Sequence, residues 1–517
     1  MKSDTRISLG LIRIIVALIL VVLSLAVLAN SMTKPVGRDE QMYCTGAVCL
    51  AQAKMIYRDF SYAAQMPYHP LLCAALFRLF DTTYYLLVVR LLSCVCDILV
   101  MVCIVGIYRH VFKPSAMAGV LFGLAAAVLY VFNPLVDYGN GYAWNHDVVI
   151  LCVMLSFWLF VSTDFQQESR YWRIAALGAL LTFATCMRIT TALAELLFFA
   201  VLLSQPAKSI KQRLQTALPF LTASALVLIW PVWLVAQAPR AFFLNLVKIP
   251  ALYGQWLHEI GMVYNKLGLT FACLTEPGYF VLILLTIYLW ASVLFLRGKL
   301  KIENGRTLLL AALLPVIFFV VALLPPTMWQ QYLAVPVPFI VVSLAFPLWY
   351  LGKLAGKART VRHSRITVIP TALCTLVAVL SYPAVLYRTP FALVPEKWAP
   401  MEMHKVSQDI VAKTKEPKRI LTFAPLLALE GGGEIYNELS AGAIIYRIAD
   451  SLSPDERRIT HTAGPKSLLE LLEKNPPSAV ILGVEMQRLE QPILESVVKA
   501  NWQRVNYEDG PTVYFRP

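Results

Sequence analysis

Charged residues are what this sequence has least of. Only 15% of its 517 residues are Asp, Glu, Lys or Arg, and the acidic ones are rarer still, with 31 against 45 basic residues. Hydrophobic residues make up 58% of the chain, whereas soluble domains are about half apolar and about a quarter charged. This composition excludes an ordinary soluble domain and indicates an α-helical polytopic membrane protein.

Sequence motifs for soluble cofactors are also lacking. The chain contains no Gly-rich phosphate loop, no nucleophilic serine in an elbow motif and no Asp-x-Asp pair for a nucleotide sugar. It has no internal repeat and no low-complexity segment. Its ten cysteines form no recognisable disulfide or metal framework, because six of them fall in apolar stretches, where cysteine acts as a small hydrophobe.

Long apolar stretches are abundant. A helix needs about 20 predominantly apolar residues to cross the ~30 Å hydrocarbon core of a bilayer. The first stretch could instead be a cleaved signal peptide, since Val27-Leu28-Ala29 ends in a small residue, but it is long for such a segment. We predict about eleven spans, at 9–30, 84–108, 115–133, 148–163, 174–187, 190–204, 216–237, 277–296, 307–323, 333–350 and 367–386.

The basic residues predict the orientation, since short cytoplasmic loops retain Lys and Arg. If the N-terminus with Lys2 and Arg6 is cytoplasmic, every later loop on that side is basic. The short loops then outside, 134–147 and 324–332, contain no Lys or Arg. We therefore expect a cytoplasmic N-terminus and an outside C-terminal tail. The net charge of +14 then serves topology and contact with anionic lipids, and nucleic-acid binding is not indicated.

Two outer loops are large enough to carry function. The first, residues 31–83, is far longer than a connector needs, and we predict two surface helices in it, at 40–57 and 69–80. The other, residues 238–276, mixes aromatic and charged residues. It indicates either a cap over a cavity or an aromatic belt at the membrane surface.

The pattern changes near residue 388. Before it, residues 1–387 form the predicted transmembrane domain, and after it, residues 388–517 alternate short strands with helices. We predict a small α/β domain outside the membrane. Its predicted elements are strands at 419–423 and 478–482, helices at 465–473 and about 490–500, and a hairpin at 505–515 through Asp509-Gly510.

Charged and polar residues at the edge of the bilayer are the candidates for chemistry, because a charge there is costly and marks a functional site by default. In the predicted topology four sets face the outer side and could line one cavity between helices. These sets are Asp39 with Glu40, Asn145-His146-Asp147, Arg188, and Gln330-Gln331-Tyr332.

Each candidate also has a structural explanation. The acidic pair could solvate the start of a helix, and Asp147 could be the N-cap of its span. Arg188 could pair with a carboxylate for packing alone. Arg90, inside the second span, could either snorkel outward or bind phosphate, and His69 could be a turn residue or a ligand.

The order of these motifs resembles a known family. Arg38-Asp39-Glu40-x-x-Tyr43, followed by Tyr57 and Tyr68-His69-Pro70-Leu71, resembles the first outer loop of C-type (GT-C) integral membrane glycosyltransferases. The resemblance covers most of the first 350 residues. It is nearest to the bacterial branch with protein O-mannosyltransferase-like proteins, lipid A aminoarabinose transferases and rhizobial lipopolysaccharide galacturonosyltransferases. Further landmarks are Asn133-Pro134-Leu135, Asp147, Trp172, Met187-Arg188, Tyr332-Leu333, Pro336 and Pro338.

This resemblance implies inverting transfer of a sugar from a polyprenyl-phosphate donor to an acceptor hydroxyl, at the outer face of a bacterial inner membrane. Asp39 would be the general base, because a carboxylate beside an apolar face has a raised pKa. Glu40 would orient the acceptor or Asp39, and Arg188 and Arg90 would bind the donor phosphate. The remaining substrate-binding residues that the resemblance implies are Arg38, Tyr57, Tyr68, His69, Asn145, His146, Asp147, Gln331 and Tyr332.

The implied partners are the lipid-linked donor, membrane lipids and an acceptor on a cell-envelope glycolipid, another glycan or a protein. The chain lacks the large inserted luminal domain of eukaryotic protein mannosyltransferases, which puts a protein acceptor in doubt. No other cofactor is expected, except that a divalent metal ion could be shared if the fold brings Asp39 and Asp147 together.

Two other functions remain open from the sequence. A transporter or flippase of a lipid-linked saccharide would also place charges beside a membrane cavity, but such proteins usually contain internal repeats. A catalytically inactive scaffold could use the outer α/β domain to bind a partner, although the intact Asp39 and Glu40 pair argues against it.

Overall fold

The computed structural model describes residues 2–165, 167, 170–206, 209–262, 265–300, 302–325, 327–358, 361–507 and 510–517. Within these ranges the chain forms 25 α-helices and one four-stranded sheet. The predicted fold class, a helical multi-pass membrane protein with a small C-terminal α/β part, is confirmed.

Two of the first nine helices, α2 and α3, lie in the first outer loop; α3 agrees with the helix predicted at 69–80, whereas α2 ends at Ala51, before the predicted end at residue 57. They are α1 (Lys2–Thr33), α2 (Arg38–Ala51), α3 (Tyr68–Phe80), α4 (Tyr85–Val111), α5 (Ala116–Val131), α6 (Pro134–Gly139), α7 (His146–Ser162), α8 (Arg170–Thr185) and α9 (Ala192–Leu203).

Three of the next ten helices, α11, α12 and α13, lie in the second large outer loop, residues 238–276, which is called the cap loop below. This loop also contains a π-helical segment at Leu244–Lys248. They are α10 (Ile210–Gln237), α11 (Pro239–Phe243), α12 (Ile249–Glu259), α13 (Lys266–Thr275), α14 (Pro277–Phe295), α15 (Gly305–Leu323), α16 (Pro336–Ser343), α17 (Ala345–Ala358), α18 (Val361–Ser381) and α19 (Ala384–Arg388).

Seven helical segments of the described chain are long and apolar enough to cross a membrane, and an eighth counts if the bent pair Arg365–Ser381 and Ala384–Leu393 is one span. The other three predicted spans correspond to α7, α8 and α9, which have 17, 16 and 12 residues. At 1.5 Å per residue these helices are about 18–26 Å long, which is shorter than the ~30 Å hydrocarbon core. The seven segments are Gly10–Thr33, Tyr85–Val111, Lys113–Val131, Ile210–Gln237, Pro277–Phe295, Gly305–Leu323 and Gln330–Leu354.

Two helix pairs approach closely because glycines face the contact. A Cβ on Gly123 of α5 would lie 3.0 Å from the Cα of Val105 in α4, and one on Gly178 of α8 would lie 2.3 Å from the carbonyl oxygen of Phe220 in α10. Small residues let helix backbones pack tightly where lipid gives no hydrophobic driving force. The α8–α10 pair supports the segment that carries Arg188.

The C-terminal tail contains the sheet and six further helices. Strands β1 (Ile420–Leu421) and β2 (Ala479–Leu482) are parallel, and β4 (Thr512–Phe515) lies antiparallel between β2 and β3 (Gln503–Asn506). The predicted strands, the helix at 465–473 and the final hairpin are confirmed, although Asp509 of the hairpin turn lies outside the described residues. The helices are α20 (Ala399–Lys413), α21 (Leu426–Leu429), α22 (Ala443–Ile448), α23 (Pro454–Thr460), α24 (Pro465–Lys474) and α25 (Gln487–Lys499).

The tail docks on the first outer loop and on the start of α4. The buried carboxylate of Glu430 accepts hydrogen bonds from the backbone N–H of Leu86 at 2.7 Å and pairs with His404 at 3.0 Å. The backbone N–H of Leu426 donates to Gln41 of α2 at 3.0 Å. These buried polar contacts fix the tail directly above the helix that begins with the acidic pair.

Candidate active site

The acidic pair lies in the first turn of α2. Gly37 is the N-cap, and its backbone N–H donates to Glu40 Oε2 at 2.6 Å. Carboxylates are favoured here because the helix N-terminus carries a partial positive charge. Successive helical residues point about 100° apart, so Asp39 and Glu40 face different surroundings.

Glu40 and Arg90 form a buried ion pair. Both side chains are fully buried, and Arg90 Nε and Nη2 donate to the two carboxylate oxygens at 2.8 and 2.7 Å. The remaining N–H groups of Arg90 donate to the backbone oxygens of Ser31, Lys34 and Pro35. An arginine has five N–H donors, and all five are used here. This geometry argues against the predicted phosphate contact of Arg90 and against an acceptor contact of Glu40. The other role predicted for Glu40, orienting Asp39, stays a prediction.

Asp39 is the free member of the pair. Its side chain is half-buried and makes no hydrogen bond or ion pair with any described residue. Burial raises the pKa of its carboxyl, and Glu40 raises it further, while Arg447 and Arg38 oppose the rise. An unpaired carboxylate with a raised pKa is suited to accept a proton.

Arg188 lies at the start of the turn between α8 and α9. Its Nη1 lies 2.8 Å from His146 Nε2, and its guanidinium is 5.2 Å from the centre of the Tyr332 ring. Arginine can only donate, so this imidazole nitrogen is unprotonated and His146 is neutral. No described carboxylate forms an ion pair with Arg188, so its positive charge is available to an anion.

The backbone just before Arg188 is held by two hydrogen bonds. Asn145 Nδ2 donates to the carbonyl oxygen of Met187 at 2.8 Å, and the backbone N–H of Tyr68 donates to that of Cys186 at 3.2 Å. The predicted substrate-binding residues Asn145 and Tyr68 therefore position Arg188 in this structure. The Tyr68 hydroxyl donates to the backbone oxygen of Val227, away from Arg188.

A narrow cleft opens beside Arg188. Its free volume is only about 10 Å³, close to what one water molecule needs, and Arg188, His146 and Tyr332 provide its polar groups together with two threonines. The rest of its lining is apolar: Val149, Phe318, Val321, Ala322 and Val335. A cationic group bordered by apolar side chains suits an amphiphile with an anionic head, although the cleft must widen to admit a lipid chain.

Tyr43 lies where the charges of both Asp39 and Arg188 act on it. It follows Asp39 by four residues and therefore lies on the same face of α2. Burial raises the pKa of its hydroxyl, the charge of Asp39 adds to the rise, and the charge of Arg188 opposes it. The site thus brings together Asp39, Tyr43, Arg188, His146 and Tyr332. Tyr43 belongs to the sequence motif that begins at Arg38 but is not among the predicted site residues, although its spacing from Asp39 could have identified it.

Asp147 does not join this group. Its side chain is fully buried and accepts a hydrogen bond from the backbone N–H of Gly141 at 3.0 Å, and the charged groups nearest to it include Asp97 and Lys34. Among the described residues no group of three or more His, Cys, Asp or Glu is arranged to hold a metal ion.

The other predicted residues shape the first loop or lie at its edge. The Tyr57 hydroxyl donates to the backbone oxygen of Gln65 at 2.6 Å. His69 is fully buried against the edge of Tyr43, and burial lowers its pKa to about 3, so the ring is neutral. Gln331 is buried, and Arg38 is exposed beside Asp39.

No sequence pattern predicts that the tail takes part in this site. Arg447 of α22 donates to the Tyr253 hydroxyl of the cap loop at 2.9 Å and to Glu485 at 2.5 Å, and its guanidinium lies 5.2 Å from the Trp256 ring. Its charge reaches Asp39. The cap aromatics had been recognised, but their arginine partner lies about 190 residues away in the sequence.

Comparisons with known proteins identify other membrane proteins that share this scaffold. A family model described as dolichyl-phosphate-mannose-protein mannosyltransferase matches residues 64–235. The structure is similar to ArnT from Cupriavidus metallidurans bound to undecaprenyl phosphate and in the apo state. Each has a TM-score of 0.58 and 14% identity, covering 98% of both chains.

A more distant similarity is to the Archaeoglobus fulgidus oligosaccharyltransferase tethered with an acceptor peptide containing the NVT sequon. The TM-score is 0.50 with 13% identity, covering 97% of this chain and 74% of that one. A comparison with curated protein sequences gives no significant match. At these identities the similarity establishes the fold. The chain has the GT-C fold of multi-pass membrane glycosyltransferases, which confirms the resemblance found in the sequence.

Proposed function

We propose that this protein is an inverting glycosyltransferase that uses a polyprenyl-phosphate-linked sugar. It transfers one sugar to an acceptor hydroxyl on a cell-envelope glycolipid or glycan, at the outer face of a bacterial inner membrane. The observation that carries the proposal is that the charges of Asp39, which has no partner among the described residues, and of Arg188, which has no ion pair among them, both act on Tyr43.

The cleft supports a lipid-linked donor. Arg188 can bind two phosphate oxygens at once and stays charged at every physiological pH. Its guanidinium lies at the polar end of an otherwise apolar groove, where a prenyl chain is favoured over water. The structurally similar ArnT is seen bound to undecaprenyl phosphate, a lipid of this chemistry.

Asp39 supports the acceptor side of the reaction. In the proposed step the acceptor hydroxyl oxygen attacks the anomeric carbon while its proton passes to the Asp39 carboxylate. The bond from that carbon to the phosphate oxygen breaks, and the electron pair leaves with the phosphate. Arg188 stabilises the charge that develops on the phosphate, and neutral His146 holds the guanidinium in place.

The experiment is mass spectrometry of envelope lipids and glycans from cells expressing the intact protein, Asp39→Asn, or neither. Asp39→Asn keeps the shape of the side chain and removes the base, so we expect a sugar-mass increment only with the intact protein. Asp81→Asn is the matched control. It lies at the end of the same loop, is exposed, and adopts a left-handed conformation that asparagine accepts.

Three outcomes decide the proposal. An increment with the intact protein and Asp81→Asn, but not with Asp39→Asn, supports it and identifies the sugar class. An increment that persists in Asp39→Asn contradicts the role of Asp39. No increment with the intact protein, when all variants are present in the membrane at equal levels, contradicts transfer to envelope lipids and glycans.

A further inference from the structure

Arg447 lies where three distant parts of the chain meet. It belongs to α22 of the tail, which packs on α12 of the cap loop. One apolar cluster contains Tyr43 of α2, Ile249 of the cap and Ile445 of α22. The tail therefore forms part of the wall around Asp39.

The guanidinium of Arg447 is fixed by three neighbours. It donates to Glu485 at 2.5 Å and to the Tyr253 hydroxyl at 2.9 Å, and it stacks over the Trp256 ring at 5.2 Å. The Arg447 side chain is 5% exposed and that of Glu485 is fully buried. Its position is therefore closely determined by the tail and the cap together.

Glu485 is itself anchored after β2. Its side chain accepts a hydrogen bond from the backbone N–H of Met486 at 2.8 Å, and its own backbone N–H donates to Glu490 at 2.9 Å. Burying two charges is costly, and well-packed apolar side chains often give equal or greater stability. A buried pair at this position thus points to a role beyond packing.

We propose that Arg447 is a positioning residue of the reaction centre, which holds the cap helix through Tyr253 and Trp256 and places a permanent positive charge beside Asp39. The assignment rests on the proposed role of Asp39 as the base. It makes the C-terminal tail a part of the catalytic unit, and not only a separate module that binds the acceptor.

The electrostatics support this assignment. Burial and Glu40 raise the pKa of Asp39, whereas Arg447 and the neighbouring, exposed Arg38 oppose the rise. Arg447, Asp39 and Glu485 all act on the pKa of the Tyr253 hydroxyl, which is raised mainly by burial. A base must be ionised before it accepts a proton. Arg447 therefore extends to lower pH the range in which Asp39 can act.

The test measures the protonation of Asp39 directly. The full-length protein in lipid nanodiscs carries ¹³C-labelled aspartate, and the infrared carbonyl band that disappears in Asp39→Asn belongs to this residue. We titrate that band in the intact protein and in the double variant Arg447→Gln/Glu485→Gln. The paired amides avoid leaving a buried charge without its partner.

We expect the Asp39 midpoint to move to higher pH in the double variant. Arg447→Gln alone gives a second test that removes only the cation, and the same upward shift is expected. Arg447→Lys keeps the charge and should return the midpoint toward that of the intact protein. Arg488→Gln is the matched control, because this arginine also lies over Trp256, at 6.0 Å, but is exposed and does not act on Asp39.

An unchanged Asp39 midpoint in either folded Arg447→Gln variant overturns the proposal, with folding checked by thermal unfolding and gel filtration. The titration needs no substrate, so a failure to detect sugar transfer contradicts the proposed function and leaves this result intact. Where donor and acceptor are known, the same variants should lower kcat at pH values below the Asp39 midpoint and leave KM nearly unchanged.

Discussion

Arg90 and Glu40 form a bidentate ion pair that is closed to water on every side. The two contacts measure 2.7 and 2.8 Å, both side chains are 0% exposed, and the backbone N–H groups of Gly37 and Ala143 complete the shell of Glu40 at 2.6 Å each. The pair connects α4 to the first turn of α2, and Arg90 also donates to the segment that joins α1 with α2. It therefore determines where α2 begins, and with it the position of Asp39.

Removing one member of this pair should cost stability more than activity per folded molecule. We expect Arg90→Gln or Glu40→Gln to destabilise the protein by about 3–5 kcal/mol, because the remaining charge is left buried without its partner. Thermal unfolding in nanodiscs measures the loss. The exposed pair of Arg58 with Asp59, in the same outer loop, is the comparison, and Arg58→Gln should change stability by less than about 1 kcal/mol. Equal effects at the two sites would contradict this assignment.

Arg188 should determine binding of the lipid phosphate. Undecaprenyl phosphate at about 100 times its Kd would stabilise the intact protein by about 2.7 kcal/mol in thermal unfolding. We expect Arg188→Gln to lose most of this stabilisation, and Arg188→Lys to keep part of it because lysine contacts phosphate as a point charge. Arg58→Gln should bind as the intact protein does. Full stabilisation of Arg188→Gln would place the phosphate elsewhere.

Asp39 should lower the stability of the protein at neutral pH. Its pKa in the folded protein is raised above the ordinary value of 3.8, mainly by burial, so the folded state holds its proton more tightly than the unfolded state. Folding stability therefore falls as pH rises through that window. We expect Asp39→Asn to be more stable than the intact protein at pH 7.5, with the difference shrinking as pH falls toward 4. A less stable Asp39→Asn at pH 7.5 would show that the carboxylate is needed for folding.

Glu430 should fasten the tail to α4. Its carboxylate accepts a hydrogen bond from the backbone N–H of Leu86 and pairs with His404. Glu430→Ala leaves these buried groups without a partner and should lower the free energy of unfolding by about 1–3 kcal/mol. We expect faster cleavage of the tail in limited proteolysis. Glu434→Ala is the control, because the one ion pair that Glu434 forms with a described residue is a long surface contact with Arg419 at 3.4 Å. Similar cleavage of both variants would argue that the tail is held by apolar packing alone.

Much of the architecture could be predicted from local patterns. Apolar length predicts spans because the bilayer has a nearly constant thickness, and the change of period near residue 388 predicts the strands of the tail. These signals fail where a helix is too short for the criterion. Helices α7, α8 and α9 belong to this group, and their ends, which carry His146 and Arg188, take part in the site.

The sequence predicts which residues belong near the site but not which of them contact one another. Asp39, Glu40, Arg90 and Arg188 are all selected by one criterion, that a charged residue at the edge of the bilayer is costly and therefore marks a functional site. The criterion cannot tell which charges satisfy one another. Only the packing of α4 against the start of α2 pairs Arg90 with Glu40, and leaves Asp39 and Arg188 free.

By itself the sequence determined the membrane class, the outer loops, the α/β tail and the residue types available for chemistry, because these follow from composition and short-range periodicity. The tertiary structure alone decided which carboxylate is free, which guanidinium faces the apolar cleft, and that Arg447 acts on Asp39. These depend on contacts between residues from about 40 to more than 400 positions apart. Burial and distance, which set charge interactions, exist only once those parts are packed together.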